Sequence, residues 1–305
     1  MKKEFSFVLD EEHIGKRLDV VLTSLTGINR SNLKNHLTKL QLNGKAVKLS
    51  FLKTAVGDKV DLEVEWVEEN IEPEDIPLDI VYEDENYIVI NKPCGMVVHP
   101  AKGNYTGTLV HALWGLDKIR LEKKDTEDLN KLKLRAGIVH RLDKDTSGLI
   151  IVARHREAQE YLSKLFREHK IKKIYSAVLK GKLLPFHQTV ITQIGRNPHN
   201  RKKMAVVERG GKSSHSVFHV VRHVGNYSFV KVRIYTGRTH QIRVHSAHLG
   251  CPVLGDPIYA RSDNKYPDIQ LCLAATKLSF FDKYSNKQLT FKIKPPRFMG
   301  QIKKI

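Results

Sequence analysis

Asp143 sits between Arg141 and Lys144 in the sequence HRLDKDTSG, with Asp145 two positions on. A carboxylate suits work on a sugar or a base, because it can attack carbon as a nucleophile or accept a proton as a base. Positive charge on either side stabilises the anion. An isolated aspartate in a loop more often caps a turn through backbone amides, but a second basic motif offers it a partner. In TGRTHQIRVHSAHLG, residues 236–250, Gly237 allows a tight turn, Thr239 is the expected N-cap, Ile242 begins an apolar stripe and Gly250 stops the helix. Free amides at that helix start, with Arg238 beside them, suit a phosphate. Arg243, one turn inside, can reach a carboxylate across a cleft, and removing either partner of a buried pair costs about 3 to 5 kcal/mol. The same motif holds His240, His245 and His248, but there is no HExxH and no acid or cysteine at zinc spacing beside them, so no metal is expected.

The elements that must position these residues read mainly as strands. AGIVH feeds the aspartate loop and LIIVAR leaves it, so both ends of the loop are expected to be anchored by buried β-structure. Further alternating runs are DIVYEDENYIVINK, KIYSAVLKG, TVITQIG, SHSVFHVVRHV and SFVKVRIY. In the last, Val230, Val232 and Ile234 fall on one face and Lys231, Arg233 and Tyr235 on the other. HREAQEYLSKLFREHK is an amphipathic helix with Ala158, Tyr161, Leu162, Leu165 and Phe166 as its buried stripe. Few strands are separated by helical crossovers, which points to an α+β domain with a mostly antiparallel sheet. The polar stretch LEKKDTEDLNKLK, residues 121–133, reads as a surface insertion.

Charge marks the domain layout. The chain has 305 residues and a formal net charge of +19, which favours a polyanionic partner, nucleic acid first. No apolar run is long enough to cross a membrane, and MKKEFSFVLDEEH lacks the apolar core of a signal peptide, so a cytoplasmic protein is expected. Cys94, Cys251 and Cys272 form no CxxC pair and fit a reducing compartment. From Lys16 to Lys53 there are eight Lys and Arg against one acid, whereas from Asp58 to Glu85 there are thirteen acids against one lysine. The acidic, proline-containing EENIEPEDIP reads as a linker, placed at residues 67–76 between a small domain at 12–66 and a larger one at 77–305. In the small domain Leu18, Val21, Leu22 and Leu25 recur at helical spacing. Asn29 or Ser31 can cap a second helix carrying Leu33, Leu37 and Leu40, and Asn43-Gly44 signals a tight turn before KAVKLS. Its one-sided basic face, with Arg17, Arg30 and Lys34, is expected to meet RNA.

RLDVVLTSLTG, NRSNLKNHL, LNGKAV and VGDKV resemble the S4 domain, a small RNA-binding module, although Lys39 stands where that family usually has glycine. GIVHRLDKDTSGLIIVAR strongly resembles the aspartate motif of the RluA-type pseudouridine synthases. The resemblance continues through NKPCGMVVHP (91–100), KKIYSAVLKG (172–181), TGRTHQIRVHSAHLG and GDPIYA (255–260). With an S4 module in front, the layout is most similar to the RluD/RluC-like branch, which modifies large-subunit ribosomal RNA. The resemblance implies a synthase domain built on a mostly antiparallel mixed sheet with peripheral helices around a central cleft, working without a cofactor. It implies Asp143 as the essential catalytic residue, Tyr175 as the residue that packs on the uracil and serves in proton removal, and Arg243 as the partner that orients Asp143. Arg141 is implied to hold the target nucleotide flipped out. Lys92 and His99 are left as structural. Ala274, Asp282-Lys283 and Ala260 depart from the family pattern at positions away from the implied chemistry.

Residues 77–305 hold 41 Lys and Arg against 19 acids, a surplus that can track an RNA backbone while a base is extruded. With about six phosphates neutralised, a slope of about 0.7 per contact predicts an affinity loss of about 300-fold between about 50 and 200 mM salt. A monomeric enzyme acting on large-subunit ribosomal RNA is the expectation. The alternatives are a synthase acting on transfer RNA and a non-catalytic RNA-binding factor of ribosome assembly.

Overall fold

The computed structural model describes residues 2–28, 30–50, 54–65, 71–101, 103–116, 136–200 and 203–302. The chain packs as two compact units, Met1–Asn70 and Ile71–Ile305.

In the smaller unit β1 (Lys2–Val8), β2 (Leu37–Leu42), β3 (Lys45–Ala46) and β4 (Lys59–Glu65) form an antiparallel sheet in the order β1-β4-β2-β3. Helices α1 (Leu18–Thr26) and α2 (Arg30–His36) cover it. Leu18, Val21 and Leu22 of α1 meet Leu33, Leu40, Val60, Leu62 and Val64 in one core. The second helix is shorter than its apolar spacing suggests. It stops at His36, and Leu37 and Leu40 belong to β2, where Leu40 faces Leu62. Pairing with β4 on one side and β3 on the other overrides a spacing that fits a helix equally well. Asn43 and Gly44 both adopt left-handed backbone, φ 49° and 77°, as a two-residue hairpin turn requires. Asn29, the alternative cap, lies outside the described residues.

The larger unit is organised by a ten-stranded sheet. Its strands are β5 (Ile80–Glu83), β6 (Tyr87–Lys92), β7 (Ser147–Ala153), β8 (Lys172–Lys180), β9 (His187–Arg196), β10 (Met204–Val206), β11 (Lys212–Val224), β12 (Tyr227–Ile234), β13 (Leu273–Asp282) and β14 (Lys287–Lys292). They run in the order β10-β9-β11-β12-β8-β13-β7-β6-β5, with β14 paired to β13. Every pairing is antiparallel except β13 with β7. Helices α3 (Leu109–Gly115), α4 (Arg156–Arg167), α5 (Gln241–His248) and α6 (Arg297–Gly300) lie around it. The fold is the expected α+β class.

β7 is buried along its whole length and feeds two cores. Ile150 and Val152 face Ile88, Ile90, Leu109 and Leu113, while Leu149 and Ile151 face the Ala158, Leu162 and Leu165 stripe of α4. AGIVH does not form the second strand expected at the aspartate loop. Only an isolated bridge, Ile138 to Val152, is present, on the edge of β7 opposite β6, where β13 pairs with β7 at Ser147 and Gly148. Residues 71–76, read as the second half of a linker, have no regular structure but lie against the larger unit. Ile71 packs on its core, and the Glu74 carboxylate accepts the Gly107 N–H at 3.0 Å. The stretch 121–133 lies outside the described residues. No helix among the described residues is long and apolar enough to cross a membrane.

Candidate active site

The loop that carries Asp143 is shaped by its neighbours. Leu142 is buried in the core, while Arg141 and Asp143 on either side of it line a cleft together with Tyr175, Arg238 and Arg243. The Asp143 carbonyl accepts the Thr146 N–H at 3.1 Å, closing the turn before β7. Gly148 then passes so close to β13 that a β-carbon there would stand 2.3 Å from the Ala275 carbonyl oxygen, and its φ of +107° is one that glycine tolerates. Behind the loop the fully buried Lys92 donates to the carbonyls of Pro93 and Met96 at 2.8 Å and of Lys144 at 3.0 Å. Burial pushes its pKa down to about 8. Gly95 N–H, at 2.9 Å, also bonds the Lys144 carbonyl, so NKPCGM holds the backbone of the aspartate loop from behind.

Arg243 is 2% exposed and reaches Asp143 as expected, but its Nη1 is 3.5 Å from Asp143 Oδ2. Its stronger partner is Asp256, which sequence reasoning did not assign. Asp256 is fully buried at its side chain and takes Nε at 2.7 Å and Nη2 at 2.8 Å in a two-pronged pair. Burial opposes the guanidinium charge, but the hydrogen bonds and charge of Asp256, with Asp143 beyond, outweigh it and raise the pKa. Asp256 Oδ1 also accepts the N–H groups of Ile258 and Tyr259 at 2.9 and 3.0 Å. The signal was present in GDPIYA, where Gly255 has φ +74° and a β-carbon would stand 2.3 Å from the Gln270 carbonyl oxygen.

The start of α5 differs from expectation. His240, not Thr239, occupies the N-cap position, in left-handed backbone with φ 57°. Arg238 N–H donates to Gln241 Oε1 at 3.0 Å and Gln241 N–H to the Arg238 carbonyl at 3.1 Å, so these two amides are spent on the turn. Gln241 Nε2 in turn donates to Ser216 Oγ at 2.9 Å and the His215 carbonyl at 3.0 Å, tying α5 to β11. His240 Nε2 lies 3.9 Å from Asp143 Oδ2, and its Nδ1 is 2.8 Å from the Tyr259 hydroxyl. Burial lowers the His240 pKa, and Asp143 draws it partly back up. His245 is bound to Ser214, Ser216 and Thr192, and among the described residues no three potential ligands gather around a metal position.

Tyr175 is buried on β8, opposite Val232 and Ala275. Burial first, then the charge of Asp143, raises its pKa above the ordinary phenol value. Its ring is a neutral wall of the cleft, and its hydroxyl keeps its proton. Arg17, Arg30 and Lys34 belong to the smaller unit. There Asp19 accepts Arg17 Nε and Nη2 at 3.1 Å and Arg30 Nε at 3.1 Å, a pairing the sequence reading did not foresee. Lys34 is exposed.

The cleft thus offers a carboxylate, 21% exposed at its side chain, beside a guanidinium anchored elsewhere and an apolar aromatic wall. That combination can hold a flat base while charge develops at the attached sugar. Residues 86–248 match the model of a family described as RNA pseudouridylate synthase. Ribosomal large subunit pseudouridine synthase D of Neisseria meningitidis serogroup B is 39% identical over 300 residues, covering 93% of this chain and 77% of that one. The protein of the same name from Zymomonas mobilis is 39% identical over 312 residues, covering 97% and 96%. In the solved structure of human RNA Pseudouridylate Synthase Domain Containing 1 the fold is shared, with a TM-score of 0.55 at 24% identity over 73% of this chain and 85% of that one. On a family match across more than half its length and relatives of this identity and coverage, the chain belongs to the RNA pseudouridylate synthases.

Proposed function

We propose that this synthase isomerises uridines of large-subunit ribosomal RNA, with Asp143 as the catalytic carboxylate. In the reaction the bond from ribose C1′ to uracil N1 breaks, the base turns, C1′ joins C5, and the proton leaving C5 is matched by one gained at N1. Asp143 serves the sugar side of this exchange, as a nucleophile at C1′ or as a base toward the ribose. Arg243 fixes its direction without enclosing it, because Asp256 holds the rest of the guanidinium. Tyr175 packs against the uracil, and its protonated hydroxyl fits a donor better than a base. Arg141 and Arg238 at the cleft contact the flipped nucleotide and its backbone. The smaller unit, read as an S4 module, adds grip through Arg17, Arg30 and Lys34. The form we propose is a monomer that works in the cytoplasm, where a ribosomal substrate would be met.

One observation carries this reading most directly. Asp143, Tyr175 and Arg243 line a single cleft in a chain whose relatives are named for large-subunit ribosomal RNA. The test is nucleotide-resolution pseudouridine mapping on unmodified large-subunit ribosomal RNA incubated with the wild type and with Asp143→Ala. New sites that vanish in the variant are expected. Conversion of transfer RNA alone would move the substrate, and tight binding without conversion of either RNA would overturn the catalytic reading.

A further inference from the structure

Lys173 stands on β8 two residues before Tyr175, so both side chains leave the same face of the strand. Its Nζ is 5.6 Å from the centroid of the Phe166 ring. It is also 3.9 Å from the point where Gly237 would carry a β-carbon, and Gly237 lines the cleft. A glycine there puts only hydrogen over the ammonium. Among the described residues no carboxylate pairs with Lys173. The charged neighbour that acts on it is another cation, Arg238. Burial first, and then that charge, pushes the lysine pKa down to about 8. Arg238 also lines the cleft. Its Nε donates to the Ser213 carbonyl at 2.8 Å, and no carboxylate among the described residues takes its remaining donors. His140, on the loop leading to Asp143, is kept neutral by burial and by Lys173, with its pKa down to about 3, and its Nε2 accepts the Ile151 N–H at 3.0 Å.

Two cations held together at a partly desolvated site without an anion raise the energy of the free protein, and an anion entering between them lowers it. Elsewhere the fold supplies such partners itself, as Asp19 does for Arg17 and Arg30. We propose that Lys173 and Arg238 form a phosphate site that holds the RNA backbone next to the nucleotide entering the cleft. The inference rests on reading the cleft as an RNA-modifying site, and it adds a ligand, Lys173, that none of the motif reasoning selected. A phosphate there fastens the strand at the mouth while Tyr175, on the same strand face, receives the base.

The experiment measures affinity against salt concentration for the wild type, Lys173→Met and Lys173→Arg. The probe is an RNA fragment carrying a uridine found by mapping, made as a series in which one flanking phosphate at a time is a neutral methylphosphonate. Loss of the contact lowers the log–log salt slope by about 0.7 and weakens binding about tenfold, whereas Lys173→Arg retains both. One methylphosphonate position is expected to weaken the wild type by a similar factor and to leave Lys173→Met without further loss. A Lys173→Met protein that keeps the wild-type slope and the wild-type sensitivity at every linkage overturns the proposal. If that variant does not fold, Arg238→Met in the same series decides, since it faces the same phosphate. Absence of conversion by the wild type would sink the functional reading alone, and the slopes on whichever RNA it binds still decide the site.

Discussion

Two ion-pair clusters in this protein use the same groups in opposite ratio. In the smaller unit one carboxylate, Asp19, is shared by Arg17 and Arg30, whose side chains are 47% and 55% exposed. At the cleft one guanidinium, Arg243, is shared by two carboxylates, of which Asp256 is fully buried and Asp143 is 21% exposed. In each cluster the buried member fixes the geometry, and the member in excess keeps an open side. The first arrangement leaves positive charge facing outward, which suits a polyanion. The second leaves a carboxylate oriented but not enclosed, which suits chemistry. A single ion-pair vocabulary makes a gripping surface or a reactive group according to which sign is in surplus.

The largest effect is expected from removing the surplus carboxylate. Asp143→Asn should lower single-turnover conversion by about 10²- to 10⁴-fold while RNA affinity stays within about twofold. Conversion within tenfold of the wild type would mean that Asp143 is not the reacting group. Asp256→Asn should act first on the fold. Leaving a buried guanidinium without its main partner costs about 3 to 5 kcal/mol in urea unfolding, and a change below about 1 kcal/mol would show that the pair does not anchor the cleft. Arg243→Lys keeps the charge but loses the fork that grips Asp256. Conversion is expected to fall about 100-fold with KM little changed, whereas a loss confined to KM would place Arg243 in substrate binding.

The smallest effect belongs to the exposed cluster. Asp19→Asn should cost about 1 kcal/mol and, by adding positive charge, should not weaken RNA binding. The hydrogen bond from Arg17 leads in holding the Asp19 pKa below the ordinary carboxylate range, so the folded protein binds that proton less readily than the unfolded chain. The stability gap between wild type and variant should therefore be constant above about pH 5 and close as acid takes the pH below about 4. A gap that persists to lower pH would mean that Asp19 stabilises by packing rather than by charge.

The proposed reacting residue and its context were legible because they are local. HRLDKDTSG and LIIVAR lie within one turn and one strand, and alternation identifies most of the large sheet. Arg243 was legible as a partner of Asp143, but its anchoring to Asp256 was not. The two are thirteen residues apart with a helix end and a turn between them, and no periodicity links them. Asp19 was hidden for a similar reason, standing as the lone acid in a basic segment whose charge count pointed outward. The end of α2 was misplaced because Leu33, Leu37 and Leu40 satisfy a helix until β4, twenty residues later in the chain, claims Leu37–Leu42 as a strand. His240 at the start of α5 shows the same limit, since a left-handed backbone at a histidine is set by what surrounds it.

The contact of Gly148 with Ala275 also has a consequence for timing. The smaller unit has all its strands once residue 65 is made, but the strand that leaves the aspartate loop gains its second neighbour only when β13, from Leu273 onward, has been synthesised. At about 5 to 20 residues per second, roughly 10 to 40 s of translation separate the two events. A ribosome making this protein thus carries a finished small unit well before any nascent chain can bear a finished cleft.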